Sequence, residues 1–164
     1  MRQWHLAPSE KTFLRGKYVA GVIDGDTIAV RVAGETRTVG LIGIDAPEIE
    51  SDKECYGREA ASHTSLELEG GRVRLELDVD KEDEEGSLLA YVWHRGSLFN
   101  RALVSDGYAR VATTRPNTRY SDLFTQALKS AKGDRRGMWD ACYAPPPKPE
   151  PKSKNKDKRK SRKR

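Results

Sequence analysis

The order of its elements predicts that this chain is an α+β domain, a five-stranded Greek-key barrel of the OB type with about three helices. Three observations carry that expectation. Short strands with period-two alternation fill the first half, one helix is set between the third and fourth strands, and further helices follow the fifth. At 164 residues the chain is long enough for one domain with a real core and too short for two of ordinary size. The expected division is an N-terminal extension over 1–17, the barrel domain over 18–143, and a tail over 144–164.

The first strand is "YVAGVID". In the second, "TIAVRV", Ile28, Val30 and Val32 alternate with small or polar neighbours, the period of a half-buried strand. "AGE" at 33–35 makes a tight connection, and the chain returns from Arg37 to Ile44 as the other half of a hairpin. A helix is expected from about Tyr56 to Glu69, stopped by Gly70 and Gly71. "RVRLELDV" alternates at Val73, Leu75, Leu77 and Val79, and after the charged turn "DKEDEEGS" the run "LLAYVWH" supplies the fifth strand. "LFNRALVSDG" reads as a short helix and "YARVAT" as a brief extended segment. In the last helix Tyr120, Leu123, Phe124, Ala127, Leu128 and Ala131 share one face. Trp4, Trp93 and Trp139 read as packing residues, and His5, His63 and His94 as isolated ones.

The net charge of +5 is unevenly placed. Residues 145–164 hold ten Lys or Arg against two acids, which leaves 20 basic and 23 acidic residues in the body. The tail is Pro-rich and then Lys/Arg-rich, with no apolar side chain to bury, so it is expected to be disordered and to act as an electrostatic tether for nucleic acid. No run of 18 apolar residues is present, so no membrane span is expected. The N-terminus lacks the apolar middle of a signal peptide, so either the protein is made without one or the chain begins after a removed one. Cys55 and Cys142 form no CxxC or Cys/His cluster, which argues against zinc and leaves open one long-range disulfide or two unrelated thiols.

Asp24, Asp26, Asp45 and Glu48 cluster at strand ends in "VIDGDT" and "TVGLIGIDAPE". Alternation places Asp24 and Asp26 on one side, Gly25 permits close backbone approach, and Pro47 fixes the turn that presents Glu48. Converging carboxylates repel unless a cation lies among them, and an all-oxygen donor set suits calcium or magnesium.

"IDGDT", "LIGIDAPE", "CYGREA", "LLAYVW", "N…LV..GYA" and a terminal "G.W" occur in an order and spacing that resemble the staphylococcal nuclease, or thermonuclease-like, family, over residues 18 to 142. The resemblance implies an OB-fold barrel and a calcium-dependent phosphodiesterase acting on DNA and RNA. On matching positions Asp26 and Asp45 become calcium ligands with the backbone carbonyl of Ala46. Glu48 becomes the catalytic residue that positions or deprotonates water, and Asp24 stands behind them. The resemblance also implies a Cys55–Cys142 bridge, like the paired cysteines of exported bacterial members, and hence an exported protein, expected to be a monomer.

Two departures stand against that activity. The family's two transition-state arginines fall on Gly40 and Ser87, and neither residue can fork across phosphate oxygens. Losing one charged donor costs on the order of 3 kcal/mol, a factor of a hundred or more. Positions that hold and stack the terminal nucleotide in the family read Glu84, Glu85, Thr113 and Arg115 here. Three readings follow: a catalytically silent nucleic-acid- or protein-binding module, a slow nuclease with cations supplied from elsewhere such as Arg115, or an inactivated variant of an active enzyme.

Overall fold

The computed structural model describes residues 12–49 and 54–143. The tail and the first eleven residues, Trp4 and His5 among them, lie outside the described residues.

Three strands open the chain as a meander: β1 (Thr12–Val22), β2 (Thr27–Val32) and β3 (Glu35–Leu41). A two-residue β4 (Ile44–Asp45) leads to α1 (Gly57–Leu68), and β5 (Arg72–Leu77) and β6 (Leu88–His94) form the second hairpin. Then come β7 (Ser97–Leu98), α2 (Phe99–Ser105), β8 (Arg110–Val111), α3 (Ser121–Gly133) and α4 (Met138–Ala141). The long strands are ordered β3-β2-β1-β5-β6, and a parallel β3–β6 pairing closes them into the expected five-stranded barrel. β1 pairs with β5 from Thr12 onward, so residues 12–17, assigned to the extension on sequence, belong to the sheet.

Alternation fills the barrel as expected: Val19, Ile28, Val30, Val39, Leu41, Val73, Leu75, Leu88, Ala90 and Val92 are buried together. Two apolar assignments fail. β5 ends at Leu77 and leaves Val79 65% exposed, and Leu123 is 41% exposed because α3 meets the barrel through Phe124, Ala127 and Ala131. α4, a fourth helix, is too short to leave a periodic signature.

Two buried polar residues tie elements together. Asn100, at the start of α2, donates from Nδ2 to the carbonyls of Ile42 (3.0 Å) and Ala90 (3.4 Å) and accepts from the Val92 N–H at 2.8 Å. It therefore clamps the end of β3 against β6. Glu76 points out of the barrel yet is fully buried, because the chain entering α3 covers it. It accepts from Arg119 Nη1 (2.8 Å), Tyr120 OH (2.9 Å) and Trp93 Nε1 (2.7 Å).

The disulfide implied by the family resemblance is present. Cys55 and Cys142 join the approach to α1 to the end of α4, closing a separation of 87 residues.

Asn100→Ala leaves two carbonyls and an amide without their buried partner, so unfolding in urea is expected to show a loss of about 3 kcal/mol with an unchanged slope. A loss under about 0.5 kcal/mol, the size of an ordinary surface change, would mean the clamp is not stabilising.

Candidate active site

The acids of "IDGDT" do not lie on a strand. Residues 23–26 form a bend between β1 and β2, where the Asp26 N–H donates to Asp24 Oδ1 at 3.0 Å. Small side chains hold that bend against the "DAPE" turn. A Cβ on Gly25 would stand 2.6 Å from the Ala46 Cβ and 2.8 Å from the Ala60 Cβ, so no larger residue fits between turn and helix. Thr64 of α1 donates to the Gly25 carbonyl at 2.7 Å, fully buried. Gly57, at the start of the same helix, allows a similar approach, since a Cβ there would lie 2.3 Å from the Glu48 carbonyl oxygen. Helix α1 is thus the plate against which both acidic turns are pressed. None of these contacts is readable from the sequence, where Ala60 and Thr64 are ordinary helical residues.

The turns meet through Asp26, whose Oδ2 accepts from the Ala46 N–H at 2.8 Å. Burial pushes the Asp26 carboxyl up to about 7, helped by its side-chain interaction with Asp24 and by repulsion from Asp24 and Asp45, and opposed by the Ala46 N–H. Of the predicted ligands, Asp26, Asp45 and Ala46 are therefore brought together. Ala46 touches Asp26 through its N–H, and Glu48 is exposed, its N–H donating to Glu54 Oε2 at 2.8 Å. Among the described residues no group of three or more His, Cys, Asp or Glu side chains is placed to hold a metal.

Asp45 opens onto a pocket of about 320 Å³ lined also by Leu41, Asp80, Asp83, Leu89 and Arg115. Gly40 pairs with Leu89 across the closing seam, and Ser87 lies just before β6, its N–H donating at 2.8 Å to Asp83 Oδ1, a residue of the pocket. The two vacated arginine positions are therefore neighbours beside this pocket. A Cβ on Gly40 would meet Leu89 Cδ2 at 3.5 Å, ordinary contact, so a side chain fits there. Arg37 turns away, donating to Glu82 Oε1 (2.8 Å) and the Gly86 carbonyl (2.9 Å). Sequence reasoning missed Arg110, which pairs with Asp45 in the β4–β8 ladder. Its Nη1 lies 4.0 Å from Asp45 Oδ2 and its Nη2 donates to Tyr143 OH at 3.1 Å.

The chain is thus an α+β domain, a closed OB barrel with two acidic turns beside a carboxylate-lined pocket. A family model described as "Staphylococcal nuclease homologue" matches residues 38–141. The chain is 39% identical over 124 residues to a thermonuclease of Staphylococcus hyicus, covering 74% of this chain and 73% of the other. It is also 39% identical over 134 residues to a thermonuclease of Staphylococcus intermedius, covering 79% and 80%. With endonuclease YncB of Bacillus subtilis it shares 38% over 122 residues, covering 71% and 58%. The chain belongs to the staphylococcal nuclease family, and its domain is thermonuclease-like.

Because the folded-state value of Asp26 lies above 3.8, the stability it contributes is complete below about pH 4 and is lost as pH rises through about 7. With chelator present, Asp26→Asn is expected to leave the melting temperature unchanged at pH 4 and to raise it at pH 8, where the stability gain is on the order of a few kcal/mol. Thermal melts at the two pH values check this, and an equal shift at both would mean that the strain lies elsewhere.

Proposed function

We propose that this chain carries the metal-dependent phosphodiester-hydrolase site of a nuclease acting on DNA or RNA, with calcium as its ion, and that its turnover is weak or lost. The observation that carries this reading is the closing seam, where Gly40 and Ser87 adjoin the pocket of Asp45 and supply no positive charge. Asp26, Asp45 and the Ala46 carbonyl would hold the ion. The fit rests on the all-oxygen donor set and on Asp26, whose carboxyl is disfavoured as an anion mainly by burial and also by Asp24 and Asp45, a state that a hard divalent cation would relieve.

Calcium, when bound, supplies Lewis-acid polarisation of a phosphate oxygen. The chain's own contribution is then positioning and proton handling. Glu48 sits on a turn fixed by Pro47, Gly57 and the Glu54 contact, and its role there would be to order a water or take its proton. Charge for the equatorial phosphate oxygens is the missing element, because the pocket offers Asp45, Asp80 and Asp83 against Arg115.

The basic tail adds non-specific attraction to the polyanion. Deleting 144–164 is expected to weaken oligonucleotide retention at low salt without moving the melting temperature; unchanged retention would remove the tether from the reading. The Cys55–Cys142 bond supports an oxidising compartment, consistent with export.

The deciding assay sets the protein beside Gly40→Arg/Ser87→Arg on single-stranded DNA and RNA, with calcium and with chelator. The double variant is expected to cleave in calcium at least about a hundredfold faster. Cleavage by the unmodified protein at the variant's rate would overturn the impaired reading. Failure of both to cleave would favour a binding module, for which the altered Glu84, Glu85 and Thr113 already argue.

A further inference from the structure

Strand β6 has a differently charged surface at each end. Leu89 lines the carboxylate pocket, whereas Trp93, four residues and roughly 13 Å further on, walls a cleft of about 310 Å³. That cleft is flanked by Arg72, Arg74 and Arg95, and among the described residues no carboxylate lines it.

The three arginines lack an ion-pair partner among the described residues, although Arg37, Arg110, Arg119, Arg135 and Arg136 are each paired with an acid. Arg72 Nη1 donates only to the Gly16 carbonyl, at 2.8 Å. The Arg74 guanidinium lies over the rings of Phe13 (4.6 Å) and Trp93 (5.1 Å), with its buried Nε unpartnered. Arg95 projects from the turn between β6 and β7, and its side chain is exposed. Three guanidinium groups facing one cleft, with no acid lining it among the described residues, make a local positive patch on a body with more acids than bases, the kind of surface that attracts a polyanion. Trp93 is preorganised: its Nε1 is held by buried Glu76 at 2.7 Å and its ring meets the Tyr120 ring at 75°. On its other side a cleft of about 470 Å³ presents Arg101, together with one acid, Asp106.

We propose that this cleft is a second nucleic-acid contact, in which Arg72, Arg74 and Arg95 hold backbone phosphates of a single strand while Trp93 forms the wall against which a base rests. Guanidinium groups fork onto phosphate oxygens, and an aromatic wall among cations is how single strands are held without sequence preference. An acidic peptide would satisfy the arginines but make no use of the tryptophan. The site shares no residue with the carboxylate pocket, so it binds strand whether or not the acids turn substrate over.

The test uses the full chain in chelator and a labelled 20-nucleotide thymidylate strand, read by fluorescence anisotropy over a series of salt concentrations. Arg72→Gln/Arg95→Gln alters two exposed side chains, and its melting temperature verifies folding. The double variant is expected to bind about tenfold more weakly at low salt, with the log–log salt slope reduced by roughly 1.4. Unchanged affinity and slope overturn the proposal. Tryptophan quenching by the strand is expected in the unmodified protein and lost in Trp93→Phe; quenching retained there overturns the role of the wall. Because no metal is present, the outcome is separate from that of the cleavage assay.

Discussion

The parallel pairing of β3 with β6 is the contact on which the rest of the structure depends. Without it the strands form an open sheet, with Gly40 and Ser87 on separate edges and no wall for the pocket of Asp45. Parallel neighbours distant in sequence have a large loop-closure cost, and here the seam is short, three residue pairs. Asn100 reinforces it from outside by binding backbone from both sides of the junction, and the Ile42 N–H adds a bond of 3.0 Å to the Ala90 carbonyl.

The acidic turns are located by the absence of side chains more than by their presence. Gly25, Ala46, Ala60 and Gly57 allow two loops and a helix to approach within contact distance, and the approach brings Asp26 under desolvation and beside Asp24 and Asp45. The disulfide gathers a second set of groups. Glu54 precedes Cys55 and holds the Glu48 amide, while Tyr143 follows Cys142 and holds Arg110, which faces Asp45. One covalent bond therefore anchors contacts to both Glu48 and Asp45.

Much of this was legible in the sequence because period-two alternation reports burial directly: Ile28 and Val30, then Val73 and Leu75, lie where alternation puts them. The acidic cluster was legible from its own residues as a site for a hard cation, whereas the Cys55–Cys142 pairing was implied only by family resemblance. What escaped is what depends on non-local cover. Glu76 occupies an outward strand position and is buried only because α3 begins above it, and Val79 continues the pattern of a strand that has already ended. Asp24 and Asp26 alternate as a strand would, yet their own side chain to backbone bond makes a bend. Arg110 reaches Asp45 through a two-residue ladder that no local pattern announces.

Gly40 has an evolutionary consequence. Its backbone does not need glycine, its pairings with Thr27 and Leu89 are open to any residue, and a side chain there would meet only ordinary contact. Gly25 and Gly57, by contrast, are fixed by steric necessity, so a lineage cannot drift at those positions without losing the fold's inner contacts. Position 40 carries no such constraint. The scaffold leaves room where charge would sit, so a larger side chain can replace this glycine with only ordinary contact at Leu89.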